Sequence, residues 1–174
     1  MLIWITGISG SGKTTVGTRL CERLKAEHPN LLYLDGDEFR QACGDDLGYT
    51  LEDRDKNALR MTRLCRLICA QGIHVICAAN LTSQRFRDWC QAHIPDYYEV
   101  FLNVPLEILA ARDPKGLYAA ALAGKADNVV GVDIPFSPPR QPFLTLENSG
   151  DLGTIDDLVE AIMHAIGLSR PKAS

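Results

Sequence analysis

Leu2-Ile3-Trp4-Ile5-Thr6-Gly7-Ile8-Ser9-Gly10-Ser11-Gly12-Lys13-Thr14 opens the chain and decides its architecture. Leu2 to Thr6 is a short apolar run that ends in glycine, the mark of a buried parallel strand. Gly7 to Thr14 then matches Gly-x-x-x-x-Gly-Lys-Ser/Thr in full. The glycines let the chain curl so that backbone N–H groups converge on phosphate oxygens. Lys13 adds a point charge for the β and γ phosphates, and Thr14 offers a hydroxyl to Mg²⁺. From Lys13 to about Lys25, Val16, Leu20 and Leu24 fall on one helical face, so the loop feeds a helix whose positive end points at the same phosphates. A glycine-rich turn without a ligand is the plainer alternative; the length of the match and both flanks speak against it. The expected nucleotide contacts are Gly7, Ser9, Gly10, Ser11, Gly12, Lys13 and Thr14. Thr15 either supports this site or is an ordinary helix residue.

Working outward, strand and helix patterns alternate. Strands are expected at 31–34, 73–78, 97–102 and 143–146. Helices are expected at about 52–71, closed by Gly72, and at 85–93, 106–112, 117–123 and 155–166. The implied class is α/β: a P-loop NTPase fold with a five-stranded parallel sheet and helices on both faces. One domain is expected over 1–168, followed by a polar tail at 169–174. Residues 124–141, rich in Gly and Pro, form the longest irregular stretch, and such loops are usually functional.

Bulk properties narrow the function. The 174 residues suit one domain. A net charge of −4 argues against a broad nucleic-acid face, though a few local cations suffice for a small anion. No run is apolar for long enough to span a bilayer, and the first strand follows Met1 directly, so neither membrane nor signal peptide is expected. The six cysteines form no CxxC pair and read as reduced, structural thiols of a cytoplasmic protein. No Asn-Lys-x-Asp motif and no apolar run ending in Asp-x-x-Gly occurs, which weighs against a GTPase. A small-molecule kinase fits this length.

The second strand ends in Leu34-Asp35-Gly36-Asp37-Glu38-Phe39-Arg40. Ligands of open α/β sheets bind beyond the carboxyl ends of strands, so two carboxylates and an arginine arrive beside the loop. One carboxylate can take a hydroxyl proton or hold a magnesium water. A surface turn capped by Asp35 or Asp37 is the bland alternative.

These segments resemble the adenylylsulfate kinase family. Leu34 to Arg40 is similar to its Leu-Asp-Gly-Asp-Asn-x-Arg. Gly7 to Thr15 is similar to its Gly-Leu-Ser-Gly-x-Gly-Lys-[ST]-Thr. Leu47-Gly48-Tyr49-Thr50 with Glu52 to Asn57 resembles Leu-Gly-Phe-Ser followed by Glu-Asp-Arg-x-x-Asn. Arg112 to Tyr118 matches Arg-Asp-Pro-Lys-Gly-Leu-Tyr, and Gly131, Asp133, Pro135 and Phe136 match Gly-Ile-Asp-x-Pro-[YF]. The resemblance covers about 2–168. It implies transfer from Mg-ATP to the ribose 3′-hydroxyl of adenylylsulfate. It makes Asp37 the catalytic carboxylate, with Asp35 and Lys13 beside it, and Thr14 and Asp35 the magnesium residues. Arg112 borders the donor adenine. Arg40, Arg54, Asn57 and Lys115 hold the acceptor, while Tyr49 and Phe136 stack on its base. Residues of about 113–139 form a closing lid. Members are often dimeric, so a homodimer is expected.

The chain departs from this pattern after its third strand. Where the family carries Ile-Ser-Pro-Tyr-Arg, it has Ala78-Ala79-Asn80-Leu81-Thr82-Ser83-Gln84. Neutral groups such as Asn80 then replace a cation, and Arg85 or Arg87 offers a substitute in shifted register. A Glu ahead of the last strand is replaced by Phe143. Two acceptors therefore remain open: adenylylsulfate, or another nucleotide such as a cytidine diphosphate derivative of surface-polysaccharide modification. A silent ATP-binding regulatory module would lack an intact loop or the acceptor carboxylate, and both are present.

Overall fold

The computed structural model describes residues 1–44, 46–150 and 155–168. Five parallel strands form one sheet: β1 (Leu2–Thr6), β2 (Leu31–Asp35), β3 (His74–Ala78), β4 (Tyr97–Asn103) and β5 (Leu144–Glu147). Their order is β2-β3-β1-β4-β5, with β1 in the centre. The register aligns Ile5 with Ala78, and Ala78 with Asp35, so three strands end side by side at one edge.

Among the described residues seven helices accompany them: α1 (Lys13–Lys25), α2 (Gly36–Ala42), α3 (Leu51–Cys69), α4 (Gln84–His93), α5 (Leu106–Arg112), α6 (Leu117–Leu122) and α7 (Ile155–Ala165). Alternate strand residues feed two cores. Ile3, Ile5, Ile76 and Val100 pack under α1 and α7 with Val16, Leu20, Val159 and Ile162. Leu2, Trp4, Val75 and Cys77 pack under α3 and α4 with Met61, Cys65 and Cys90. All six cysteines are free. No helix among the described residues is long and apolar enough to cross a membrane.

The expected strands and helices form, with ends moved by one or two residues. One helix was not expected. Gly36 to Ala42 carries Phe39 as its only large apolar residue and so has no readable period. It is a helix because the Asp35 carboxylate accepts from Asp37 N at 2.9 Å and caps it. The irregular 124–141 stretch holds one isolated bridge, Val130 to Ile134. Asp133 accepts from the N–H groups of Asn128 and Val129 and folds this stretch on itself. Its Val129, Val130 and Ile134 share a third buried cluster with Ile8, Val104, Leu109 and Tyr118. The tail expected at 169–174 lies outside the described residues.

Candidate active site

The loop after β1 is shaped by its glycines. Gly7, Gly10 and Gly12 have φ of 153°, 78° and 93°, and Gly12 is the left-handed entry to α1. At Gly12 a Cβ would stand 2.6 Å from Asn148 Nδ2, so strain and collision both require glycine there. Two side chains hold the loop from outside. Asn148, just past β5, donates from Nδ2 to Ser11 O at 2.9 Å, and Tyr118 donates its hydroxyl to Ser9 O at 2.8 Å. Sequence reasoning missed both. Tyr118 lies inside a quoted motif, but Asn148 carries no pattern at all. Ser11 is fully buried and its hydroxyl has no partner among the described residues.

Lys13 donates to Ile8 O at 3.0 Å. Burial pushes its ammonium down to about 8, against the pull of Asp37 and Asp35. Thr14 Oγ1 donates to Asp35 Oδ2 at 2.8 Å. Asp35 thus uses one oxygen to cap α2 and the other to meet α1. A hydroxyl and a carboxylate so close are hard oxygen donors of the kind Mg²⁺ takes. Thr15 is exposed on α1. Arg112 reaches across to Gly150 O at 2.7 Å, linking the end of α5 to the segment after β5.

On the other flank, Asp37 sits in the first turn of α2, and Lys115 Nζ meets its Oδ2 at 2.8 Å. Burial pushes the Asp37 carboxyl up, but Lys115, Lys13 and Arg40 together outweigh it and hold it below its usual range. Arg40 is buried; its Nη1 donates to Leu47 O and Gly48 O, and its Nε has no partner among the described residues. Arg54 donates to Tyr49 O and Asn128 O, both at 2.8 Å. Both guanidiniums lie over the half-exposed Tyr49 ring, at 4.8 Å and 5.4 Å from its centroid. Asn57 is buried, with Oδ1 unpartnered among the described residues.

The structure therefore gathers Lys13, Thr14, Asp35, Asp37 and Lys115 at one end of the sheet, with Arg40, Tyr49 and Arg54 as a second group beside them. Phe136 is half-buried against the third cluster, its ring centroid 5.9 Å from Phe101. Neither arginine after β3 is a free cation. Arg85 pairs with Asp55 at 2.8 Å, and Thr82 also donates to Asp55. Arg87 is buried against Glu99.

The sequence profile described as Adenylylsulphate kinase matches residues 1–147. The chain belongs to the adenylylsulphate kinase family. An adenylyl-sulfate kinase of Gloeothece citriformis is 37% identical over 94% of this chain and 92% of its own. A cytidine diphosphoramidate kinase of Campylobacter jejuni is 36% identical over 96% of each chain. Among solved structures, the Mycobacterium tuberculosis APS kinase in complex with AMPPNP and APS superposes with a TM-score of 0.83 at 32% identity. That match covers 95% of this chain and 96% of the other. The family and fold expected from the loop and the Asp35–Asp37 segment are thus those of its relatives.

Proposed function

We propose that this chain transfers the γ-phosphoryl group of ATP to the ribose 3′-hydroxyl of adenylylsulfate. The observation that carries the reading is the junction of loop and α2: Asp35 joins Thr14 to the N-terminal turn that presents Asp37, with Lys13 as their shared cationic neighbour. Loop amides and Lys13 hold the phosphates. Asp37, kept ionised by its cations, accepts the proton of the attacking hydroxyl. Thr14 and Asp35 would hold Mg²⁺, which supplies charge neutralisation on the β and γ phosphates when bound. Arg40 and Arg54 draw in the acceptor's anionic groups, and Tyr49 offers its base a stacking face. Lys115 leaves Asp37 for the phosphoryl oxygens as residues of about 113–139 close and exclude water. Arg112 borders the donor base, and Asn57 and Phe136 complete the acceptor pocket.

A second reading, a cytidine diphosphate derivative as acceptor, is favoured by one observation: Asp55 neutralises Arg85, the cation nearest the altered segment. The two kinds of relative are also almost equally similar. Free cysteines support a reducing, cytoplasmic setting. A homodimer is the assembly we propose, and light scattering of the purified chain checks it.

The test is ADP release from Mg-ATP with adenylylsulfate or cytidine diphosphoramidate added separately. Stimulation by adenylylsulfate supports the first reading. A response to the cytidine compound alone replaces the acceptor but keeps the mechanism, and no response to either removes the reading.

A further inference from the structure

Asn80 is part of this chain's departure from its family, and it makes no hydrogen bond to any described residue; its Oδ1 is buried without a partner. A buried amide oxygen left unpaired is unfavourable, and a ligand hydroxyl would supply its missing donor. Its place is held from several sides. Ala79 N donates to Ile5 O at 3.1 Å, and Leu81 N donates to Thr6 Oγ1 at 3.4 Å. Residues 79–81 therefore run along the end of β1, just before Gly7. Ala79 also packs against Gly36, at the start of α2.

The direction of the side chain follows from its neighbours. Ala79 and Leu81 join the core under α3 and α4. Successive side chains of an extended segment point to opposite faces, so Asn80 faces the α1 side, as Ala78 does. Ala78 Cβ lies 3.3 Å from where a Cβ of Gly17 would stand on α1. Two strand residues advance about 6.6 Å, as far as about four helix residues. Because α1 runs back against the strands, Asn80 stands level with Lys13. In the phosphotransfer reading, this is where the γ-phosphate meets the acceptor hydroxyl. Lys13 Nζ already donates to Ile8 O and is drawn by the charges of Asp37 and Asp35, and the oxygens that would hold Mg²⁺ are those of Thr14 and Asp35. The acceptor sugar is the group left to Asn80.

We propose that the Asn80 amide binds the acceptor's ribose through the hydroxyl next to the one phosphorylated. The hydroxyl donates to the unpaired Oδ1 and satisfies it. The inference rests on the phosphotransfer reading above but not on which base the acceptor carries. Asn80 thereby selects ribonucleotide over 2′-deoxyribonucleotide acceptors.

The experiment is a cycle of kcat/KM values: wild type and Asn80→Ala, each with adenylylsulfate and with its 2′-deoxy analogue. Either change alone is expected to cost about tenfold, and the second to cost nothing more. Asn80→Ser, which keeps a small hydrogen-bonding group, is expected to regain part of the loss. ATP affinity is expected to stay the same in both variants, which also shows that the loop is intact. Losses that multiply, to about a hundredfold together, overturn the inference and leave the function standing. A drop in ATP affinity on Asn80→Ala overturns it too, since it moves Asn80 to the donor side. If only cytidine diphosphoramidate is phosphorylated, the same cycle is run with its 2′-deoxy form. A wild type that phosphorylates neither compound removes the function and this inference with it.

Discussion

The proposed donor and acceptor halves of the site are built in opposite ways. The phosphate loop is eight consecutive residues whose functional groups are mostly backbone amides, with Asn148 and Tyr118 bracing it from behind. The acceptor flank draws Asp37, Arg40, Tyr49, Arg54 and Lys115 from separate segments, and its groups are side chains. Lys115 and Asp37 are 66% and 56% exposed, so their pair is free to exchange for ligand contacts. Backbone geometry fixed by glycines leaves little room for a different ligand. Side chains carried on α2, α3 and the 113–116 turn leave much more.

The largest expected effect separates the halves. Asp37→Asn lowers kcat by about 10²–10⁴-fold and leaves ATP affinity nearly unchanged, read by steady-state kinetics beside calorimetry. Equal loss in both would erase the division. Gly12→Ala does the reverse. It forces a side chain onto Asn148 Nδ2 in a left-handed conformation, with strain of about 1–3 kcal/mol. ATP affinity then drops by roughly ten- to a hundredfold while acceptor binding holds.

A smaller effect is set by pH. Lys13 is pushed down to about 8 in the free chain, and triphosphate raises it on binding, so binding takes up a proton above that pH. ATP affinity therefore falls by up to about tenfold per unit as pH rises past this value, and calorimetry in two buffers reads the proton uptake. Lys13→Met flattens the dependence. The smallest effect is on the acceptor flank. Lys115→Ala removes the leading cation that holds the Asp37 carboxyl low. The acid limb of kcat/KM then moves to higher pH, and added salt moves the wild type in the same direction. An unmoved limb would mean that Lys115 is a solvated lysine only.

How much of this was legible follows the same division. The loop and its flanking strand and helix were readable because glycine spacing and apolar periodicity are local. α2 was not, because Phe39 alone makes no period and a single capping carboxylate decides the helix. Asp55 and Asn148 carried no signal. Each is an ordinary polar residue in sequence and gains meaning from a partner 30 or 137 positions away. Arg85 was readable as a substitute cation but not as one already neutralised.

From residues alone came the class of fold, the phosphate loop and the segment that brings Asp35 and Asp37 to it, since backbone conformation and strand burial respond to near neighbours. The strand order β2-β3-β1-β4-β5 came from tertiary packing. It sets the ends of β2, β3 and β1 together, so that Asp35, Asn80 and Gly7 share one edge. The state of each acceptor cation was decided there as well, because a charge free in the chain is free in the fold only if no carboxylate packs against it.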